Sequence, residues 1–230
     1  MLVPLRGHRL HLGRDVLVFD LDGTLVDSAP DLDRALGLLL AEEGRRPVSL
    51  SETRSMIGDG VDRLVARALA RTGSPVALPE QAGLVARFLA HYSAGRHALT
   101  LPYPGVVETL AALQGRGLRL AVCTNKPIAQ TREVLSALDL ARWFGAVTGG
   151  DSAPTRKPDP GHLLATLDLL GAAPAAAVMV GDSANDVEVA RAAGVPVVVV
   201  SYGYTSVRPA DLGADAVIDS FADLLAWLDS

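Results

Sequence analysis

Asp20 and Asp22 stand two positions apart in the run Phe19-Asp20-Leu21-Asp22-Gly23-Thr24-Leu25-Val26-Asp27, directly after the apolar stretch Val16-Leu17-Val18-Phe19. A carboxylate at the end of a strand can attack phosphorus and carry the phosphoryl group as an aspartyl-phosphate. In extended geometry residue i+2 points the same way as residue i, so Asp22 joins Asp20 on one side. There it can protonate the leaving oxygen and later deprotonate the attacking water. Gly23 permits the tight turn that brings Asp22 back towards the same place. A strand ending in a solvated acidic turn would also show Asp-x-Asp, so the reading depends on what else the chain supplies.

The run Gly181-Asp182-Ser183-Ala184-Asn185-Asp186 supplies two more acids, with Asp186 about one helical turn beyond Asp182. Hard oxygen ligands suit magnesium, which takes one or two carboxylates, several waters and a substrate phosphate. Acids gathered beside a dianionic ester repel it unless a cation intervenes. Asp182 is the candidate metal ligand, while Asp186 can serve by orienting its neighbours. Ser183 or Asn185 can also cap the helix that follows, and acids favour the start of a helix. The two roles are compatible.

Lysine is used sparingly. Of 21 basic residues only Lys126 and Lys157 are lysines. They fall in Thr124-Asn125-Lys126-Pro127 and in Lys157-Pro158-Asp159-Pro160. A compact ammonium can reach a phosphate oxygen and a carboxylate at once, where a planar guanidinium would not fit. The Thr124 hydroxyl and the backbone N–H groups after it, at Asn125, can cradle phosphate, or can simply cap a helix.

These groups need a frame. Asp15–Asp20, Leu118–Thr124, Ala177–Asp182, Val195–Val200 and Ala216–Ile218 read as buried strands. Helical patterns at 105–115, 128–138 and 185–193 lie between them, the last closed by Gly194. Strands alternating with helices predict a Rossmann-like α/β fold, a parallel sheet doubly wound with helices on both faces. Ligands then bind at the carboxyl ends of the strands, where Asp20, Thr124 and Asp182 stand. Residues 31–101 break the rhythm with helix-like stretches at 32–43, 61–72 and 79–92 and no strand. The expected organisation is a core of residues 1–30 and 102–230 with a small helical cap, 31–101, inserted after the first strand. Leu101-Pro102-Tyr103-Pro104-Gly105 reads as the return linker.

A chain of 230 residues that is 49% hydrophobic can bury a sizeable core. Its net charge of -5 and pI near 5.5 argue against a general nucleic-acid binder, yet leave room for a locally positive phosphate site. The single cysteine, Cys123, allows no internal disulfide and reads as a small buried hydrophobe. No signal-peptide pattern opens the chain and no apolar run is long enough to span a bilayer, so a cytoplasmic, soluble protein with no membrane partner is expected. His8, His11, His91, His97 and His162 match no ligand spacing. Trp143-Phe144 reads as packing.

The sequence resembles the haloacid dehalogenase-like hydrolase superfamily and, within it, is similar to the phosphoglycolate phosphatase family. FDLDGTLVDSAPDL from Phe19, MIGDGVDRL from Met56, TNKP from Thr124, GGD from Gly149, KPDP from Lys157, GDSAND from Gly181 and SYGY from Ser201 carry the resemblance, which runs from about Val16 to Leu225. It implies Asp20 as nucleophile, Asp22 as acid/base, Thr124 and Lys157 as phosphate ligands, and magnesium on Asp20, Asp182 and the backbone carbonyl of Asp22. It also implies a small phosphorylated substrate, 2-phosphoglycolate.

Specificity is expected from the cap, where Arg63 follows the turn Ile57-Gly58-Asp59-Gly60 and could meet a substrate carboxylate. Other activities are separable by chemistry. A dehalogenase would not need Asp22, and a Schiff-base phosphonatase would need a cap lysine, which residues 31–101 lack. A phosphatase of another sugar phosphate or of pyrophosphate, or a sugar phosphomutase, would share this core. A non-catalytic phosphate-binding module would have no use for a nucleophile with its own acid/base.

Overall fold

Strands rich in β-branched residues, with no polar alternation, need apolar cover on both faces. The computed structural model, which describes residues 13–230, builds them into one parallel sheet. Residues 1–12, which the sequence reading assigns to the core, lie outside the described residues. The first half comprises β1 (Val16–Phe19), β2 (Val26–Asp27), α1 (Ala29–Glu42), α2 (Leu50–Arg54), α3 (Val61–Thr72), α4 (Leu78–Ala94) and β3 (Leu101–Pro102). Next come α5 (Val106–Gly115), β4 (Arg119–Cys123), α6 (Ile128–Ala137), β5 (Ala146–Thr148) and α7 (Pro160–Leu169). The chain ends with β6 (Ala177–Gly181), α8 (Ala184–Ala192), β7 (Val197–Val200), β8 (Ala216–Ile218) and α9 (Asp223–Leu228).

The sheet order is β5-β4-β1-β6-β7-β8. β1 pairs in parallel with β4 on one side and β6 on the other, Phe19 opposite both Val122 and Val180. The chain thus starts in the middle, winds outward to β5, then returns to wind outward to β8. The carboxyl end of β1 lies at the point where the winding reverses, which is where open α/β sheets bind ligands. Alternate residues of each strand feed opposite faces. Leu17, Phe19, Val178 and Val180 pack under α5, α6 and α9, whereas Val16, Val18, Ala177 and Met179 pack under α7 and α8.

Helices α1, α3 and α4 close on a third core of their own, including Leu36, Leu39, Val65, Leu69, Phe88 and Tyr92. Two connections tie this unit to the sheet. Val26 and Asp27 of β2 pair antiparallel with Pro102 and Leu101 of β3. Asp31, fully buried, accepts from the Leu99 N–H at 2.9 Å and the Thr100 hydroxyl at 2.8 Å, so the chain leaving the sheet is bonded to the chain returning. The segment read as a plain return linker is therefore partly a strand. β5 and helices α2, α7 and α9 also escape the sequence reading. At three residues, β5 is too short to show a period. Cys123 is buried, as expected of it.

Candidate active site

Asp20 follows the last residue of β1, its backbone N–H held by the Val180 carbonyl of the neighbouring strand at 2.9 Å. That bond fixes the carboxylate at the sheet's edge, where it is 7% exposed. Lys157 Nζ lies 2.9 Å from Asp20 Oδ1 and 2.7 Å from Asp186 Oδ1, with the lysine side chain 2% exposed. Asp182 leaves β6 beside them. Its Oδ1 accepts from the Thr24 hydroxyl at 3.2 Å and its Oδ2 from the Tyr204 N–H at 2.7 Å. Glycine is required on both sides of this carboxylate. A Cβ on Gly23, whose φ is +91°, would sit 2.5 Å from Asp182 Oδ2, and one on Gly203 would collide with the Asp182 side chain.

Oxygen atoms of Asp20, Asp182 and Asp186 all lie within 4.8 Å of one another. Three carboxylates against the single Lys157 ammonium leave two formal negative charges in a buried volume. The carboxyls respond accordingly. Burial pushes Asp20 up to about 6, with Lys157 opposing and Asp186 adding to the rise. Burial, then Asp186 and Asp20, raise Asp182 well above the ordinary carboxylate range. A divalent cation would cancel the excess, so the donor set fits a hard, oxygen-seeking metal. Asp186 is already occupied on both oxygens, Oδ1 by Lys157 and Oδ2 by the Ser183 hydroxyl at 2.7 Å and the N–H groups of Ser183 and Asp182. Asp182 likewise accepts on both oxygens, so what sets Asp186 apart is its direct bond to the Lys157 ammonium together with three donors on Oδ2.

Asp22, just before the turn at Gly23, accepts from the Ser28 hydroxyl at 2.6 Å. Lys126 Nζ stands 3.1 Å from both of its carboxylate oxygens. Thr124, 2% exposed, accepts from the Lys126 N–H at 3.3 Å, so its own O–H proton is available to an incoming phosphate. Asp20, Asp22, Thr124 and Lys126 share one small cavity with apolar cap residues, about 50 Å³ and open at one side. Burial alone would lower the Lys157 and Lys126 ammonium groups, but their carboxylate partners outweigh it and both are raised, so both are cations at neutral pH.

Two candidate residues take placements that the sequence does not signal. Asn125 lines the cavity beside Thr124, while its side-chain amide donates to the carbonyls of Gly58 and Lys157, each at 3.0 Å, and so pins the cap turn to the core. Asn185 does the same through Asp59 at 2.6 Å. Arg63 is exposed and lines neither of the two cavities at the cap–core junction. The helix does present its start to the site, but through Val61 and Leu64.

His162, which matches no ligand spacing, is fully buried in the first turn of α7. Burial, helped by the Lys157 charge, lowers it to about 4. The unfolded chain, titrating near 6.5, therefore binds the proton first as pH falls. Stability from this group is complete above pH 6.5 and drains away towards pH 4, up to about 3 kcal/mol. Chemical denaturation between pH 7 and 4.5 is expected to cost wild type about 2 kcal/mol more than His162→Leu. Parallel pH profiles for the two proteins would contradict the assignment.

Comparison with known proteins agrees with this architecture. The family model for haloacid dehalogenase-like hydrolases matches residues 14–194. The chain is 50% identical over 217 residues to the phosphoglycolate phosphatase of Rhodospirillum rubrum, spanning 92% of this chain and 90% of that protein. It is 45% identical over 208 residues to the phosphoglycolate phosphatase of Caulobacter vibrioides, spanning 90% and 88%. A solved structure from Haemophilus somnus, described as a predicted phosphoglycolate phosphatase, superposes with a TM-score of 0.89 at 33% identity over 94% of this chain and 98% of that one. No helix among the described residues is long and apolar enough to cross a membrane. With a buried acidic triad at the winding reversal and a matching model over most of its length, the chain belongs to the haloacid dehalogenase-like hydrolase family.

Proposed function

We propose that this protein hydrolyses 2-phosphoglycolate to glycolate and phosphate, with Asp20 as nucleophile. The observation that carries the reading is the placement of Asp20, where one carboxylate meets Lys157, lies within reach of Asp182 and opens on the cavity shared with Asp22 and Thr124. Similarity to proteins named phosphoglycolate phosphatase is the ground for choosing this substrate over another small sugar phosphate or pyrophosphate.

The substrate phosphate sits over Asp20, with the Thr124 hydroxyl and the Lys157 ammonium on its oxygens. The Asp20 carboxylate attacks phosphorus, the ester P–O bond breaks, and Asp20 carries the phosphoryl group. Asp22 gives its proton to the departing glycolate oxygen, then takes one from the water that attacks the aspartyl-phosphate. Ser28 and Lys126 hold the Asp22 carboxyl in place for both steps. Asp20, Asp182 and the backbone carbonyl of Asp22 would hold Mg2+, which supplies positive charge against the phosphate oxygens. Apolar cap residues above the site exclude bulk water.

Phosphate release from 2-phosphoglycolate, measured beside sugar phosphates and pyrophosphate, tests the reading. A preference of at least tenfold in kcat/KM for 2-phosphoglycolate, with activity abolished by a chelator and restored by Mg2+, is expected. Equal or better turnover of another phosphate would displace the substrate, and turnover unaffected by chelator would displace the metal.

A further inference from the structure

The reaction proposed above needs two anion sites, one for the phosphate and one for the carboxylate at the other end of the substrate. Lys157 and Thr124 serve the first. Among the described residues lining the cavity, Lys126 is the sole cation. Arg63, the sequence candidate for this task, is absent from the lining.

Lys126 is built in with care. Its side chain is 4% exposed, and its Nζ lies 3.1 Å from both oxygens of Asp22. On its other side it stands 4.5 Å from the centroid of the Tyr92 ring, which reaches it from the end of cap helix α4. Tyr92 is in turn stacked on Phe88 and met edge-on by His97, so the ring is fixed. The ammonium thus sits between the acid/base carboxylate and an aromatic face of the cap.

Substrate geometry makes the connection. In 2-phosphoglycolate the leaving oxygen and the carboxylate are bonded to the same carbon. Whatever side chain protonates that oxygen must approach the carboxylate, and two carboxylates so close repel unless a cation lies between them. Lys126 already touches the protonating group. We infer that Lys126 is the receptor for the substrate carboxylate, holding it beside Asp22 with its charge steadied by the Tyr92 ring. This inference rests on the proposed substrate. It predicts that the enzyme selects small phosphate esters with an anionic group next to the ester carbon, through a core lysine and a cap aromatic together.

The test compares 2-phosphoglycolate with 2-hydroxyethyl phosphate, which has a neutral hydroxymethyl in place of the carboxylate. Wild type is expected to prefer the acid. In Lys126→Met, which keeps the side-chain stem over Tyr92, the ratio of the two kcat/KM values is expected to fall about 10- to 100-fold, with most of the loss in KM for the acid. Lys126→Gln, uncharged but polar, repeats the comparison if the methionine variant does not fold. A wild-type preference that survives in both variants would overturn the carboxylate role alone. An equal loss on both substrates would also overturn it, leaving Lys126 as a support for Asp22. A wild type with no preference for the acid would overturn the substrate reading and this inference with it.

Discussion

Asp20→Asn is expected to lower kcat on 2-phosphoglycolate by about 10⁴-fold or more, with the protein folded. The amide keeps the shape of the carboxylate but cannot form the bond to phosphorus, so the covalent route is closed while Thr124, Lys157 and Asp22 remain. Stability should separate from activity. Asp20 is raised to about 6, mainly by burial, so its folded pKa lies above the unfolded value of 3.8. The folded state therefore binds the proton more tightly, and the cost of ionising Asp20 is fully present above about pH 6 and gone below pH 3.8. Removing that charge should leave the metal-free variant melting no lower than metal-free wild type at pH 7.5. The two should converge towards pH 4. Intact-mass analysis of quenched reactions should find phosphorylated wild type and no phosphorylated variant. Turnover within tenfold of wild type would remove Asp20 from the chemistry.

What is legible in the sequence follows from which forces act locally. β1, β6 and β7 are apolar runs followed by a polar residue, and β4 is another after its opening Arg119, so their identity and the placing of Asp20, Thr124 and Asp182 at strand ends can be read directly. Ala146-Val147-Thr148 makes a strand only because β4 is there to pair with it, Cys123 against Thr148 at the end. Arg63 illustrates a different limit. The start of α3 does face the site, but residues two apart on a helix are rotated by about 200°, so a helix that presents Val61 turns Arg63 away. Asn125 and Tyr204 depend on partners distant in sequence. Asn125 reaches Gly58 in the cap, and Tyr204 spans from its N–H on Asp182 to its hydroxyl on Asp27 at 2.6 Å. No local pattern signals either contact. The two lysines are the opposite case. In a chain that otherwise uses arginine, both occur at buried positions, Lys157 between the carboxylates of Asp20 and Asp186 and Lys126 between the Asp22 carboxylate and the Tyr92 ring.

Lys157→Met should be the most destabilising single change in the site. Lys157 is the ammonium that offsets Asp20 and Asp186, both buried. Removing one partner of a buried ion pair leaves uncompensated charge, at a cost of about 3–5 kcal/mol. In a chain of this size that corresponds to a fall in Tm on the order of 10 °C. The sign of the pH dependence follows from the carboxylates. Lys157 holds Asp20 down, so without it Asp20 rises further and protonates sooner as pH falls. The stability deficit should therefore be largest at pH 8 and shrink at pH 5, where a neutral Asp20 no longer needs a counter-charge. Mg2+ should recover part of the loss at pH 8 by adding positive charge to the same cluster, while kcat stays down by about 10²-fold or more because a phosphate ligand is gone. Melts of both proteins at pH 5 and 8, with chelator and with Mg2+, read all of these effects together. A deficit independent of pH and of metal would show that Lys157 contributes packing rather than charge. The structure argues for charge, because the lysine stem ends in an ammonium held at 2.9 Å by Asp20, just after β1, and at 2.7 Å by Asp186 of α8.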